Sequence, residues 1–232
     1  MVQAGDDLVG LLSAAMARAG LTPQAGDILA VAQKIVSKAE GRTIALASVQ
    51  PSATAHELAE KTGKDARLVE LILSESERIV RARPNLIIVK HRLGFVMANA
   101  GIDQSNVGED GHALLLPRDP DASAVALSAR LGLPVVITDS FGRAWRRGTV
   151  GVAIGAAGLP ALRDLRGLPD LFGRTLMVSI TGFADEIAAA AGLLMGQGAE
   201  GQPAILLRGL SWSGAANPAA ELLRPAQEDL FQ

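Results

Sequence analysis

Three stretches of this 232-residue chain follow apolar segments with side chains that bind phosphate or hard cations. The first, Ser37-Lys38-Ala39-Glu40-Gly41-Arg42, carries two cationic groups around Gly41. The second, Asn99-Ala100-Gly101-Ile102-Asp103-Gln104-Ser105-Asn106-Val107-Gly108, holds a carboxylate, a hydroxyl and an amide in a polar, glycine-flanked loop. The third, Asp139-Ser140-Phe141-Gly142-Arg143, comes directly after the apolar run Val135-Val136-Ile137-Thr138. Strand ends that lead into polar loops are where α/β proteins place ligands. Oxygen ligands of this kind suit Mg²⁺ or Mn²⁺, with water and phosphate completing the shell. Each group also has an ordinary alternative. Asp139 can cap a turn, the loop around Asp103 can hydrogen-bond its own backbone, and Lys38 can simply be solvated. The cluster Arg143, Arg146 and Arg147 reads equally as a solvated face or an anion site.

Other chemistries have little support. Cysteine and tyrosine are absent, which removes disulfides, thiolate nucleophiles and sulfur-ligated zinc. No G-x-S-x-G elbow or G-x-x-x-x-G-K-[ST] loop is present. Gly196-Gln197-Gly198-Ala199-Glu200-Gly201 matches G-x-G-x-x-G only literally, because a helix precedes it and a strand follows. His56 falls on a polar helix. His91 and His112 flank the Asp103 loop and stay open for a site role. The net charge of −2 offers no field for nucleic acid. The N-terminal residues do not read as a signal peptide, and no apolar run approaches the ~20 residues of a membrane span. The expected location is therefore the cytoplasm.

The elements that must hold these loops mix helices and strands without strict alternation, so the fold class is α+β, a mixed α/β arrangement with mixed sheets. Half of the residues, 49%, are hydrophobic, enough for a sizeable core. Asp6 or Asp7 caps a helix that Gly20 closes, and Asp27 to Val36 reads as a buried strand. Ser52 to Thr62 and Asp65 to Arg81 read as helices joined at Gly63. Leu86 to Val89 and Phe95 to Ala98 read as strands around Gly94. Asp119 caps a helix from Pro120 to Arg130. Val135 to Thr138, Thr175 to Thr181 and Ala204 to Leu207 read as strands, and Ala184 to Leu194 as a helix. One domain spanning 1–232 is expected, with two subdomains as the alternative and a Pro/Gly-rich excursion at 158–173.

Four blocks carry a family resemblance: Val36 to Arg42; Asn99 to Asp103 with Ser105-Asn106-Val107; Ile137 to Ser140 with Gly142-Arg143; and Ala184 to Ala188 leading to Met195-Gly196-Gln197-Gly198. Together, in this order, they resemble the coenzyme F420-0:L-glutamate ligase family from about Gly5 to about Gly209. The resemblance implies that fold and a GTP-dependent ligase. Such an enzyme adds L-glutamate to the lactyl carboxylate of a deazaflavin coenzyme precursor, F420-0, and γ-linked glutamate to F420-1. An acyl phosphate fits this chemistry without a protein nucleophile. Mg²⁺ or Mn²⁺, with K⁺ as a further cation, and a homodimer are implied as well. By position, Asp103 and Asp139 would hold one divalent metal, and Ser140 and Gln197 a second. Gln33, Lys34, Lys38, Asn106 and the segment Met195, Gly196, Gln197, Gly198, Ala199, Glu200, Gly201, Gln202 would bind GTP. Lys38 and Arg143 would steady the transferring phosphate. Two departures from the family pattern stand out. The segment ahead of Gly5 is shorter, and Gln197 stands where some members have Glu, a stronger metal ligand. A ligase for another carboxylic acid and a non-catalytic nucleotide-binding module are the other readings.

Overall fold

A computed structural model describes residues 1–108 and 110–229. In chain order its helices are α1 (Leu8–Arg18), α2 (Gln33–Ala39), α3 (Ala53–Thr62), α4 (Ala66–Ser74), α5 (Pro120–Leu131) and α6 (Phe183–Met195). Its strands are β1 (Ile28–Ala32), β2 (Thr43–Ala45), β3 (Ser76–Arg83), β4 (Leu86–His91), β5 (Val96–Ala98), β6 (His112–Leu114), β7 (Val135–Gly142), β8 (Thr149–Ala157), β9 (Arg163–Asp164), β10 (Ile180–Thr181) and β11 (Ala204–Leu207). The mixture is α+β, as the sequence implies. Among the described residues no helix is long and apolar enough to cross a membrane. The chain divides into two compact units. One comprises Met1–Asp7, Gln33–Arg118 and Phe141–Thr149, and the other Leu8–Ala32, Asp119–Ser140 and Val150–Gln232.

In the first unit, β3, β4 and β5 form an antiparallel meander. Asn85, at φ 64°, makes the turn between β3 and β4. Val69 and Ile72 of α4 and Ala55 of α3 pack against Ile87 and Val89 of β4. Burying such aliphatic side chains contributes roughly 1.5–3 kcal/mol each. Ser52 caps α3 by accepting from the Ala55 amide, and Asp65 caps α4 by accepting from the Arg67 amide. A separate ladder pairs β2 with β6, and Asp103 bridges to Leu114 beside it.

In the second unit a four-stranded sheet runs in the order β11-β1-β7-β8. Strand β1 lies antiparallel to β11 and parallel to β7, so its middle residues are buried on both faces. The alanine-rich face of α6 (Ala184, Ile187, Ala188, Ala191) covers the sheet. A Cβ on Gly151 of β8 would stand 2.3 Å from the Ala188 carbonyl oxygen, so only glycine lets strand and helix come this close. Asp119 caps α5 through the Ala122 amide, with Pro120 in its first turn.

Several sequence expectations change. The strand expected at 27–36 stops at Ala32, and Gln33 opens a helix in which the Ser37 hydroxyl donates to the Gln33 side chain one turn back. Lys38 therefore sits in the last turn of α2 and not in a loop. The helix expected to reach Arg81 ends at Ser74, because the β3 backbone is taken up by pairing with β4. Of the strand expected at 175–181, only Ile180–Thr181 forms a strand, paired with β9, while Thr175 makes an isolated bridge to Pro169. Strand β7 runs past Thr138 through Asp139 to Gly142, so Asp139 lies within a strand and caps no helix.

Candidate functional site

The first unit brings together most of its sequence-flagged polar residues. Helix α2 presents Lys34 and Lys38 one turn apart, while Asp103, Ser105 and Asn106 lie on the segment after β5. The Lys34 ammonium sits 2.5 Å from Asp103 Oδ2 and donates to Ser105 Oγ at 3.0 Å. The Ser105 amide donates to Asp103 Oδ1 at 2.6 Å. Lys38 Nζ donates to the Asn106 carbonyl at 2.6 Å, and Asn106 itself takes a left-handed backbone at φ 56°. Asp103 is held by its bridge, its amide donating to the Leu114 carbonyl at 3.0 Å and its carbonyl accepting from the Leu114 amide at 2.8 Å.

Electrostatics follow from this arrangement. Burial alone would push the Asp103 carboxyl up. Hydrogen bonds from Lys34 and from the Ser105 amide and hydroxyl, together with the Lys34 charge, hold it below its ordinary value. Lys38 is pulled down by burial first and by the Lys34 charge second. Lys34 pairs with the Asp103 carboxylate while Lys38, one turn on, bonds a neutral carbonyl, and this leaves an excess of positive charge that suits a polyphosphate. Gln33 is buried, its side-chain oxygen accepting from Ser37 at 2.9 Å, so it offers no exposed side-chain contact.

Behind this face lies a second polar knot. Glu75 Oε2 accepts from Arg42 Nη2 at 2.8 Å and from Arg92 Nε at 3.1 Å, with His91 Nε2 at 3.5 Å. Arg42 Nε donates to the Leu116 carbonyl at 2.9 Å. Burial pushes the Glu75 carboxyl up, but the adjacent His91 ring, the Arg42 hydrogen bond and the charges of Arg42 and Arg92 outweigh it and hold it at about 2. His91 is fully buried, and its Nδ1 accepts from the Leu93 amide, so it serves this knot and faces no ligand.

The second unit brings together another set. Ser140 Oγ donates to Gln197 Oε1 at 2.7 Å, joining the two residues expected to share a metal. Thr138 Oγ1 donates to the Met195 sulfur at 3.6 Å. Past α6 the chain turns at Gly196, φ 68°, where a Cβ would fall 2.1 Å from the Glu200 carboxyl carbon. The Gly198 amide donates to Glu200 Oε2 at 2.8 Å. The amides of Glu200, Gly198 and Gln197 hold that carboxyl below its ordinary value. The loop Met195–Gln202 thus turns backbone N–H groups toward an anion, the property a phosphate cradle needs. Asp185, raised by burial, accepts from the Ala153 amide at 2.8 Å and ties α6 to β8.

Asp103 belongs to the first unit and Asp139, half-buried on β7, to the second. Arg143 is exposed on the turn after β7. No three His, Asp or Glu side chains cluster as a metal cage among the described residues. The adjoining neutral oxygens of Ser140 and Gln197, and carboxylates such as Asp103 and Asp139, are of the type that suits a hard cation taking its remaining ligands from water and phosphate. They do not fit a closed protein cage. The Ser105 amide on Asp103 is the local turn open to sequence reading, whereas the Ser105 contact with Lys34, 71 residues away, lay beyond it.

Comparison with known proteins shows the family to which the chain is similar. The family model described as F420-0:gamma-glutamyl ligase matches residues 1–209. The chain is 47% identical to the coenzyme F420:L-glutamate ligase of Methanothermobacter thermautotrophicus, covering 100% of this chain and 95% of that protein. It is 46% identical to the protein of that name from Methanopyrus kandleri, over 100% and 93%. The corresponding protein of Archaeoglobus fulgidus is 43% identical, over 100% and 92%.

Proposed function

The chain belongs to the F420-0:gamma-glutamyl ligase family, enzymes that form carbon–nitrogen bonds, and from that premise we propose that it joins L-glutamate to coenzyme F420-0, and γ-linked glutamate to F420-1, at the expense of GTP. A carboxylate does not condense with an amine in water unless one of its oxygens becomes a leaving group. In the proposed reaction a carboxylate oxygen of the acceptor attacks the γ-phosphorus and GDP departs, giving an acyl phosphate. The glutamate amine, having lost a proton, then attacks the acyl carbon. The amide forms and inorganic phosphate leaves with the former carboxylate oxygen. No protein nucleophile takes part. The chain's task is positioning and charge neutralisation.

The observation that carries this reading is the α2 face, where Lys34 and Lys38 stand beside Asp103 and Asn106. Lys38, with Arg143, would neutralise the phosphoryl group in transfer. Lys34, Asn106 and the Met195–Gln202 loop would hold the nucleotide. Asp103 and Asp139 would hold one divalent cation, and Ser140 and Gln197 a second, which together lower the negative charge of the triphosphate. GTP as co-substrate is in keeping with a cytoplasmic reaction. A homodimer is part of the proposal, supported by the apolar excursion around β9 and β10, where Leu171 is 100% and Phe172 85% exposed.

The test is mass spectrometry of the acceptor after incubation with GTP, Mn²⁺ and glutamate, for the wild type and Asp139→Ala. The wild type should yield glutamylated product, and the folded variant none. Full activity of the folded variant would remove the metal role. GTP turnover with a different carboxylic acid but not with F420-0 would point to the other ligase reading.

A further inference from the structure

The turn between β7 and β8 holds the side chain most at odds with its surroundings. Trp145 is 89% exposed and adopts φ 65°, a left-handed backbone that a bulky residue rarely takes. The chain's other tryptophan, Trp212, behaves conventionally: its ring packs 6.0 Å from that of Phe183. The turn is anchored at its start by Phe141, whose ring lies 6.1 Å from Phe95. Beyond that anchor, residues 142–149 are exposed. Between Gly142 and Gly148 the sequence holds Arg143, Arg146 and Arg147 and no acidic residue, in a chain whose net charge is −2. None of the three arginines makes an ion pair with another described residue.

An indole face held in water between unpaired guanidinium groups has a definite chemical complement. The indole stacks on a flat π system, and the guanidinium groups bind phosphate oxygens in fork geometry. We propose that Trp145, with Arg146 and Arg147, forms a recognition site for a planar heteroaromatic ring joined to phosphate. This rests on the function proposed above, and two of its substrates carry that chemistry: the guanine nucleotide and the deazaflavin acceptor. The site sets specificity and takes no part in bond making. Arg143, which precedes it, is left to the phosphoryl transfer.

The test measures Kd by calorimetry for GDP with Mn²⁺ and, separately, for F420-0. The proteins are the wild type, Trp145→Ala, Trp145→Phe and the double variant Arg146→Gln/Arg147→Gln. Trp145→Ala should weaken one of the two ligands roughly 10-fold or more, and Trp145→Phe should restore most of that loss, because any aromatic face stacks. The double variant should weaken the same ligand and flatten its salt dependence. Loss of GDP affinity identifies the site with the base, and loss of F420-0 affinity identifies it with the acceptor ring. Unchanged affinity for both ligands in Trp145→Ala overturns the proposal. The same holds if the substitution alters only sedimentation, which would make the turn a contact with a second copy. Wild-type protein that binds neither ligand would overturn the ligase function itself, an outcome separate from these.

Discussion

Replacing Glu75 by glutamine should show how much of the α2 face depends on the buried knot behind it. The Glu75 side chain is 9% exposed and Arg42 11%, so the pair is little screened by solvent. The carboxyl is held at about 2 from an ordinary 4.5. A difference of roughly 2.5 pK units at about 1.36 kcal/mol per unit corresponds to about 3 kcal/mol. The sign follows from the direction. The folded-state value is depressed, so this stability is fully present above pH 4.5 and drains away as pH falls toward about 2. Glu75→Gln keeps the shape but leaves Arg42 and Arg92 without a counter-charge. It should therefore cost about 3 kcal/mol at pH 7, a large share of the ~5–15 kcal/mol typical of a folded protein. Urea unfolding at pH 7, 4.5 and 3 reads this directly. The gap between wild type and variant should be constant down to pH 4.5 and narrower at pH 3. Because the Arg42 amide bonds the Ser37 carbonyl at the end of α2, nucleotide affinity should fall as well. A cost below ~1 kcal/mol, or a gap as wide at pH 3 as at pH 7, would refute the reasoning.

Other outcomes follow from the same geometry. Lys34→Met removes one of the two causes that depress Lys38 and the main partner of Asp103, so both pKa values should rise, which NMR titration would detect. Gly151→Ala forces a methyl group onto the Ala188 carbonyl and should cost about 1–3 kcal/mol, visible as a lower Tm. Replacing Leu171 and Phe172 together by serine should abolish the proposed homodimer in sedimentation velocity without lowering Tm, since both side chains are exposed.

How far the sequence revealed the structure depended on whether the deciding interaction was local. Helix α5 was legible because Asp119 and Pro120 stand at its start, and α3 and α4 began where Ser52 and Asp65 cap them. Strand β11 was legible as a short apolar run. Helix α2 was hidden because Ile28 to Val36 is almost continuously apolar, with no cap to mark the change at Gln33. Strand β3 was hidden because its first residues continue the pattern of α4, and only pairing with β4 settles them as a strand. Strands β2 and β6 are three residues each, and β8 is built mostly from glycine, alanine and valine, whose pattern carries little signal. In the site, Lys38, Asp103, Asn106 and Ser140 stood out by residue type, and Gln197 through the family resemblance. Residue type alone did not give their partners: Lys38 reaches a carbonyl 68 residues away, and only the family resemblance set Ser140 with Gln197, 57 residues on.

The measurement closest to the central claim follows one oxygen atom. With both carboxylate oxygens of the acceptor labelled with ¹⁸O, the inorganic phosphate released during glutamylation should carry one labelled oxygen, because the acceptor oxygen bonds to phosphorus and leaves with it. Product formed alongside unlabelled phosphate would contradict an acyl phosphate, and with it the phosphoryl-transfer role assigned to Lys38 and Arg143.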